Sequence, residues 1–189
     1  MNWKTVFNPF LKFDEKKLFI TGIVSSIIIF TILYSLRFRT DSIFHYTYIQ
    51  SVESLGAVIL STIAVYATAI VVFFIFGKAI NKKTRIIDIT NAVLISQIPG
   101  IFAAVPSQLN FIQDSGKHFL AGLELGSKIE PVALMTVISF SLYSLALSAY
   151  GITLLYNGFK TATNLKDWVY IVIFAILLII LVLLVQFLN

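Results

Sequence analysis

The sequence predicts an all-α protein, a polytopic transmembrane helical bundle with five spans, and three observations carry that expectation. Of its 189 residues, 58% are hydrophobic and only 12% charged, against roughly 45–50% and 25% in a soluble domain. One globule cannot hide that much apolar surface from water, so most of it must face lipid. The apolar residues gather in five runs of about 20, the length a helix needs to cross a hydrocarbon core. These runs lack the period-two alternation of barrel strands, which leaves the helix as the structure that satisfies backbone N–H and C=O groups in lipid.

Residues 1–17 read as a cytoplasmic interfacial segment, and 18–189 as one five-helix domain. In the first, VFNPFLKFDEKK sets aromatic residues around Asn8-Pro9 and ends on Lys16 and Lys17. A secretory signal does not fit: Pro9 and a charge cluster precede the apolar run, and no small-x-small cleavage site ends it. Trp3, Val6, Phe7, Phe10, Leu11 and Phe13 suit a segment lying on the membrane surface, with the two lysines pinning the first helix. The spans are then expected at Leu18 to Leu36, Leu55 to Gly77, Ile86 to Val105, Val132 to Tyr156 and Trp168 to Leu188.

Lys and Arg beside the spans set the orientation. The N-terminal segment, the 78–85 loop and the 157–167 loop hold ten of them; the 37–54 loop, the 106–131 loop and the tail hold four. The N-terminus is therefore expected in the cytoplasm and the C-terminus outside, in the cytoplasmic membrane. Both long outer loops carry apolar residues, among them Phe44, Tyr46, Tyr48 and Ile49, and Phe111, Phe119, Leu120 and Leu123. Such loops are expected to lie on the membrane surface or over the bundle.

The third span, IIDITNAVLISQIPGIFAAV, is the least lipid-like. Asp88, Asn91 and Gln97 are costly in hydrocarbon, and Pro99 with Gly100 interrupts the helix, so neighbouring helices should shield it. Two readings stand. Asp88, Asn91 and Gln97 line an ion or substrate path through a broken helix, or Asp88 pairs with Arg85 and Lys83 while the amides join helices by hydrogen bonds.

Small residues form stripes on two spans: Ser141, Ser144, Ser148 and Gly151, with Gly158 beyond, and Ala57, Ser61, Ala64 and Thr68. Small faces let helix backbones approach, so both helices are expected inside the bundle; pairing of two copies into a homo-oligomer is the alternative. The fifth span is branched and apolar all round, as a lipid-facing helix would be.

Motif searches for catalysis find no HExxH, GxSxG, GxxxxGK[ST] or GxGxxG. With no cysteine, disulfides, thiolate metal sites and Cys nucleophiles are excluded. His45 and His118 lie in different loops, and His118 with Asp114 four residues earlier is too sparse a set for a metal site. Tyr143, Tyr150 and Tyr156 are placed either to line a pocket or, as Tyr in membrane bundles commonly does, to pack or anchor. The net charge of +5 is scattered, and no arginine-rich segment points to nucleic acid. No enzyme activity, cofactor or metal is expected; the expected partners are the lipid bilayer and other integral membrane proteins.

Trp3 followed by Asn8-Pro9 before the first span, the basic loop KAINKKTR between spans two and three, and Pro99 after a polar stretch together resemble the Yip1-domain family of five-span membrane proteins. The resemblance covers essentially the full chain and is closest to the compact prokaryotic members. Eukaryotic members have a long cytoplasmic extension and a Tyr-Gly motif near the first span; here about 17 residues precede that span and the motif is missing. The resemblance implies no catalytic residues. In eukaryotes it implies membrane traffic and binding of prenylated GTPases through parts this chain mostly lacks. The resulting expectation is a non-enzymatic membrane protein that binds other membrane proteins or lipids and assists organisation or assembly of a membrane complex, such as an exporter, or a trafficking-like process. The alternative is a small transporter or channel using the Pro-broken third span.

Overall fold

The computed structural model describes residues 3–49, 54–126 and 128–183. A short helix α1 (Trp3–Phe7) and a 3-10 turn (Pro9–Leu11) lead into α2 (Glu15–Ser35). Then follow strands β1 (Phe38–Ser42) and β2 (His45–Tyr48), and helices α3 (Leu55–Ile80), α4 (Ile86–Ser96), α5 (Ile98–Ala104), α6 (Asn110–Glu124), α7 (Pro131–Thr163) and α8 (Trp168–Leu183). Four helices are long and apolar enough to cross a membrane: Glu15–Ser35, Leu55–Ile80, Ile86–Gln108 and Pro131–Thr163.

The fifth expected span, 168–188, is described only as the 16-residue α8, and its last residues lie outside the described part. Helix ends also move. Asp14 caps α2 by accepting from the Lys17 amide at 2.8 Å, which starts that helix at Glu15 rather than Leu18. Helix α7 runs on to Thr163, where Asn164 in the left-handed conformation (φ 55°) closes it. Much of the expected 157–167 loop is therefore helix.

Helix α4 is the hub, packed against α2, α3 and α7. Its residues Asn91 through Gln97 are all buried, so the least lipid-like span is shielded by its neighbours as its composition requires. The α4–α7 approach depends on Gly158, where a Cβ would stand 2.5 Å from the Ala92 Cβ. Aromatic packing joins α3, α7 and α8: the Phe174 ring lies 5.1 Å from Phe73 and 5.0 Å from Phe159, distances typical of favourable offset and tilted pairs.

The 37–54 loop, expected on the membrane surface or over the bundle, instead goes into it. It folds as an antiparallel hairpin, with Phe38 opposite Tyr48 and Ser42 opposite His45, and its tip enters the bundle. Thr40, Asp41, Ser42 and Ile43 are buried, and Ile43 packs in the core with Ala69, Phe73 and Leu178. Non-helical backbone at such depth is tolerated where protein covers it. Phe44 takes the turn at φ 67°, costly for a bulky residue. Its ring fits against Gly151, where a Cβ would come within 2.9 Å of it. The 106–131 loop likewise becomes the helix α6, packed on α7 with Phe111, Leu120 and Leu123 exposed.

Candidate functional site

Two adjoining cavities occur where the N-terminal segment meets α2, α4 and α7. The first is an apolar groove of about 600 Å³, walled by Thr21 of α2, Ile95 of α4, Pro99 and Phe102 of α5, and Leu147 and Leu154 of α7. Val6, Pro9 and Phe13 of the N-terminal segment also line it, as does Lys17. That segment is bolted to α7: the Tyr150 hydroxyl donates to the Val6 carbonyl at 2.9 Å, and the Asn157 amide donates to the Phe7 carbonyl at 2.8 Å. The Phe7 ring meets the Tyr150 ring edge-on at 5.5 Å. Tyr150, read from sequence as lining a pocket or anchoring, lines the groove and holds the N-terminal segment against α7.

The second cavity, about 320 Å³, is polar and shares Phe13 and Leu18 with the first. Glu15, Arg85, Asp88 and Asn91 line it. Arg85 donates to Asp88 through two parallel bonds of 3.0 and 2.9 Å and pairs with Glu15 at 2.5 Å. The hydrogen bonds to Asp88, then the charges of Asp88 and Glu15, raise the Arg85 pKa above its already high ordinary value. Two carboxylates on one guanidinium leave a single negative charge in excess. Asn91, 1% exposed, donates to the Glu15 carbonyl at 3.0 Å, while its own Oδ1 is enclosed without a partner among the described residues.

The sequence placed Asp88 and Asn91 on one face, and the fold brings both to this cavity. Gln97 is apart from them, 0% exposed, with its amide nitrogen 3.1 Å from Ser96 Oγ and 3.4 Å from the Val93 carbonyl. Pro99, just beyond, has no amide to donate to the Ile95 carbonyl, and the chain tightens after α4: the Gly100 amide donates to the Gln97 carbonyl at 3.1 Å, a three-residue step. The helix is interrupted but not splayed open.

The small-residue stripes divide. On α7, Gly151 and Gly158 are buried, Ser144 and Ser148 half-buried, and Ser141 exposed. On α3, the packed face is Val58, Thr62, Ala69 and Phe73, one residue round from the expected stripe; Ala57, Ala64 and Thr68 are exposed. Ser61, Ala64 and Thr68 instead line a 290 Å³ cavity with Asp41 and Ser42 of the hairpin. The inserted hairpin takes the place a neighbouring helix would have filled.

Of the residues at the N-terminus, Trp3 is exposed and stacks on Phe7 at 6.4 Å. Asn8 precedes the 3-10 turn opened by Pro9. His45 contacts Asp41 at 2.7 Å, and Thr47 also donates to that carboxylate. Asp114 pairs with Lys117 rather than with His118. Among the described residues no group of three or more His, Asp or Glu side chains is placed to hold a metal.

Glu15 was missed by the sequence reading. Glu15 lies 70 positions from Arg85 and looks like one more charge in DEKK; nothing local marks it as a partner.

A helical bundle with four membrane-length helices and a polar cavity at the end of an apolar groove is a multi-pass membrane protein. Residues 3–188 match the model of the Yip1 domain, and the chain belongs to that family, one of membrane proteins not known as enzymes. No curated protein and no solved structure matches the chain.

Proposed function

We propose that this protein is a non-enzymatic membrane protein of the cytoplasmic membrane that binds other membrane components, protein or lipid, and so assists organisation or assembly of a membrane complex. The observation that carries this reading is the 600 Å³ groove, walled by apolar side chains of three membrane-spanning helices. Apolar walls on membrane-length helices suit acyl chains or the helices of neighbours as occupants. The basic ends support an N-terminus in the cytoplasm, because the Glu15–Arg85 and Asn81–Thr163 contacts gather the Lys-rich segments at one end of the bundle.

The test is photo-crosslinking in native membranes from Thr21, an exposed groove residue, followed by identification of what is captured. Reproducible adducts with one membrane protein or one lipid class are expected. Adducts no different from those of a lipid-facing position such as Ile176 on α8 would refute the reading.

A further inference from the structure

We infer that the two adjoining cavities form one binding site for a phospholipid whose headgroup carries a primary ammonium, a phosphoethanolamine lipid of the leaflet on the N-terminal side. This deepens the lipid arm of the function proposed above and stands or falls separately from any protein partner. The form of the site is that of an amphiphile: an apolar groove of about 600 Å³ continues across Phe13 and Leu18 into a polar cavity of about 320 Å³. Both volumes fall in the roughly 300–1,000 Å³ range of ligand sites.

The polar cavity selects the headgroup. The Asn91 Oδ1 is an enclosed acceptor with no donor among the described residues, which a ligand N–H would satisfy. Its surroundings carry one negative charge in excess, since Glu15 and Asp88 share Arg85, and each carboxylate has lone pairs left after that pairing. An ammonium supplies both the missing donor and the missing positive charge. A quaternary ammonium supplies the charge without the donor, and a glycerol headgroup the donor without the charge. Lys17, on the groove wall, provides a cation for the phosphate, and Asp14 beside it at 3.6 Å holds it near the mouth.

The experiment is native mass spectrometry of the full-length protein in mild detergent, with palmitoyl-oleoyl lipids of ethanolamine, choline or glycerol headgroup added at equal concentration. The ethanolamine lipid should be retained about tenfold more than the choline lipid, the equivalent of one hydrogen bond to a charged group. Glu15→Gln, at an exposed position, removes the excess charge and should lower retention of both the ethanolamine and the choline lipid relative to the glycerol lipid. Thr21→Trp, which fills the groove from its open side, should lower retention of all three. Asn91→Leu removes the acceptor and should erase the preference for ethanolamine over choline; where it fails to fold, the charge preference read with Glu15→Gln carries the test. Equal retention of ethanolamine and choline lipids by the unmodified protein, preference for the glycerol lipid, or retention unmoved by Thr21→Trp would overturn the inference.

Discussion

Replacing Gly158 by Ala tests the closest helix contact in the bundle. A methyl at that position would stand 2.5 Å from the Ala92 Cβ, 2.9 Å from the Phe10 Cζ and 3.0 Å from the Ala92 Cα. Carbon atoms prefer about 3.5–4.0 Å, so α4 and α7 would have to part by roughly 1 Å. Overpacking of this kind costs about 1–3 kcal/mol. Against it stands the helix-propensity gain of Gly→Ala, about 1 kcal/mol. Flexible Phe10 can swing aside, but the Ala92 Cα is backbone, so the steric effect should win by up to about 2 kcal/mol. For a protein of this length that corresponds to a fall in Tm of up to about 8 °C, read by circular dichroism during heating in mild detergent. Gly56→Ala is the internal comparison: nothing lies within 4 Å of its Cβ, so only the propensity gain remains and Tm should hold or rise. If Gly158→Ala matches Gly56→Ala, the two helices are not in contact at Gly158 and the hub described for α4 is wrong.

Gln97→Leu should change stability by no more than about 1.5 kcal/mol, because Gln97 is enclosed, makes one ordinary and one long hydrogen bond to its own helix and leaves its Oε1 unpartnered among the described residues. Loss of a transport phenotype at normal abundance would favour the pathway reading of the third span instead. Asn91→Leu removes the donor to the Glu15 carbonyl and should cost about 1–3 kcal/mol, seen as a lower Tm; an unchanged Tm would mean that bond is not formed. Arg85→Ala separates the two carboxylates from their shared cation and should lower Tm less than Gly158→Ala does, since the pairs are exposed and screened. Raising salt should shrink the difference between Arg85→Ala and the unmodified protein. At the start of α2, the Lys17 amide holds the Asp14 carboxyl below the usual aspartate value of 3.8. Its capping contribution is therefore complete above that value and disappears as pH falls through the lower folded-state value. Protection of the Lys17 amide from hydrogen exchange, relative to its intrinsic rate at each pH, should fall only in that acid range, and lost protection at pH 5 would contradict the cap.

Charge runs and hydropathy made the membrane class legible, because the cost of exposing polar backbone to lipid applies whatever the tertiary arrangement. The polar third span was legible for the same reason: Asn91 and Gln97 had to be shielded, and α4 is the most enclosed helix. Pro99 marked the interruption but not its size, which depends on how the Gln97 carbonyl finds the Gly100 amide.

The failures share a cause. A stripe of small residues states that something can come close without stating what; on α7 it is α4 at Gly158, whereas on α3 the inserted hairpin leaves Ser61, Ala64 and Thr68 around a cavity. The hairpin itself read as a loop because Phe44, Tyr46 and Ile49 are equally suited to a membrane surface and to a protein interior, and local sequence cannot tell which apolar neighbour is nearer.

The sequence by itself determined that this chain lives in a membrane, which helix needs protection there, and, through Trp3, Asn8-Pro9 and KAINKKTR, the family to which it belongs. Only the tertiary structure decided that Glu15 meets Arg85 and Asp88, that Asn91 keeps a free acceptor beside them, and that an apolar groove opens next to that cluster. Burial in lipid is a property each segment carries in its own composition, but a site is made of distances between segments, and those are set by how the helices pack.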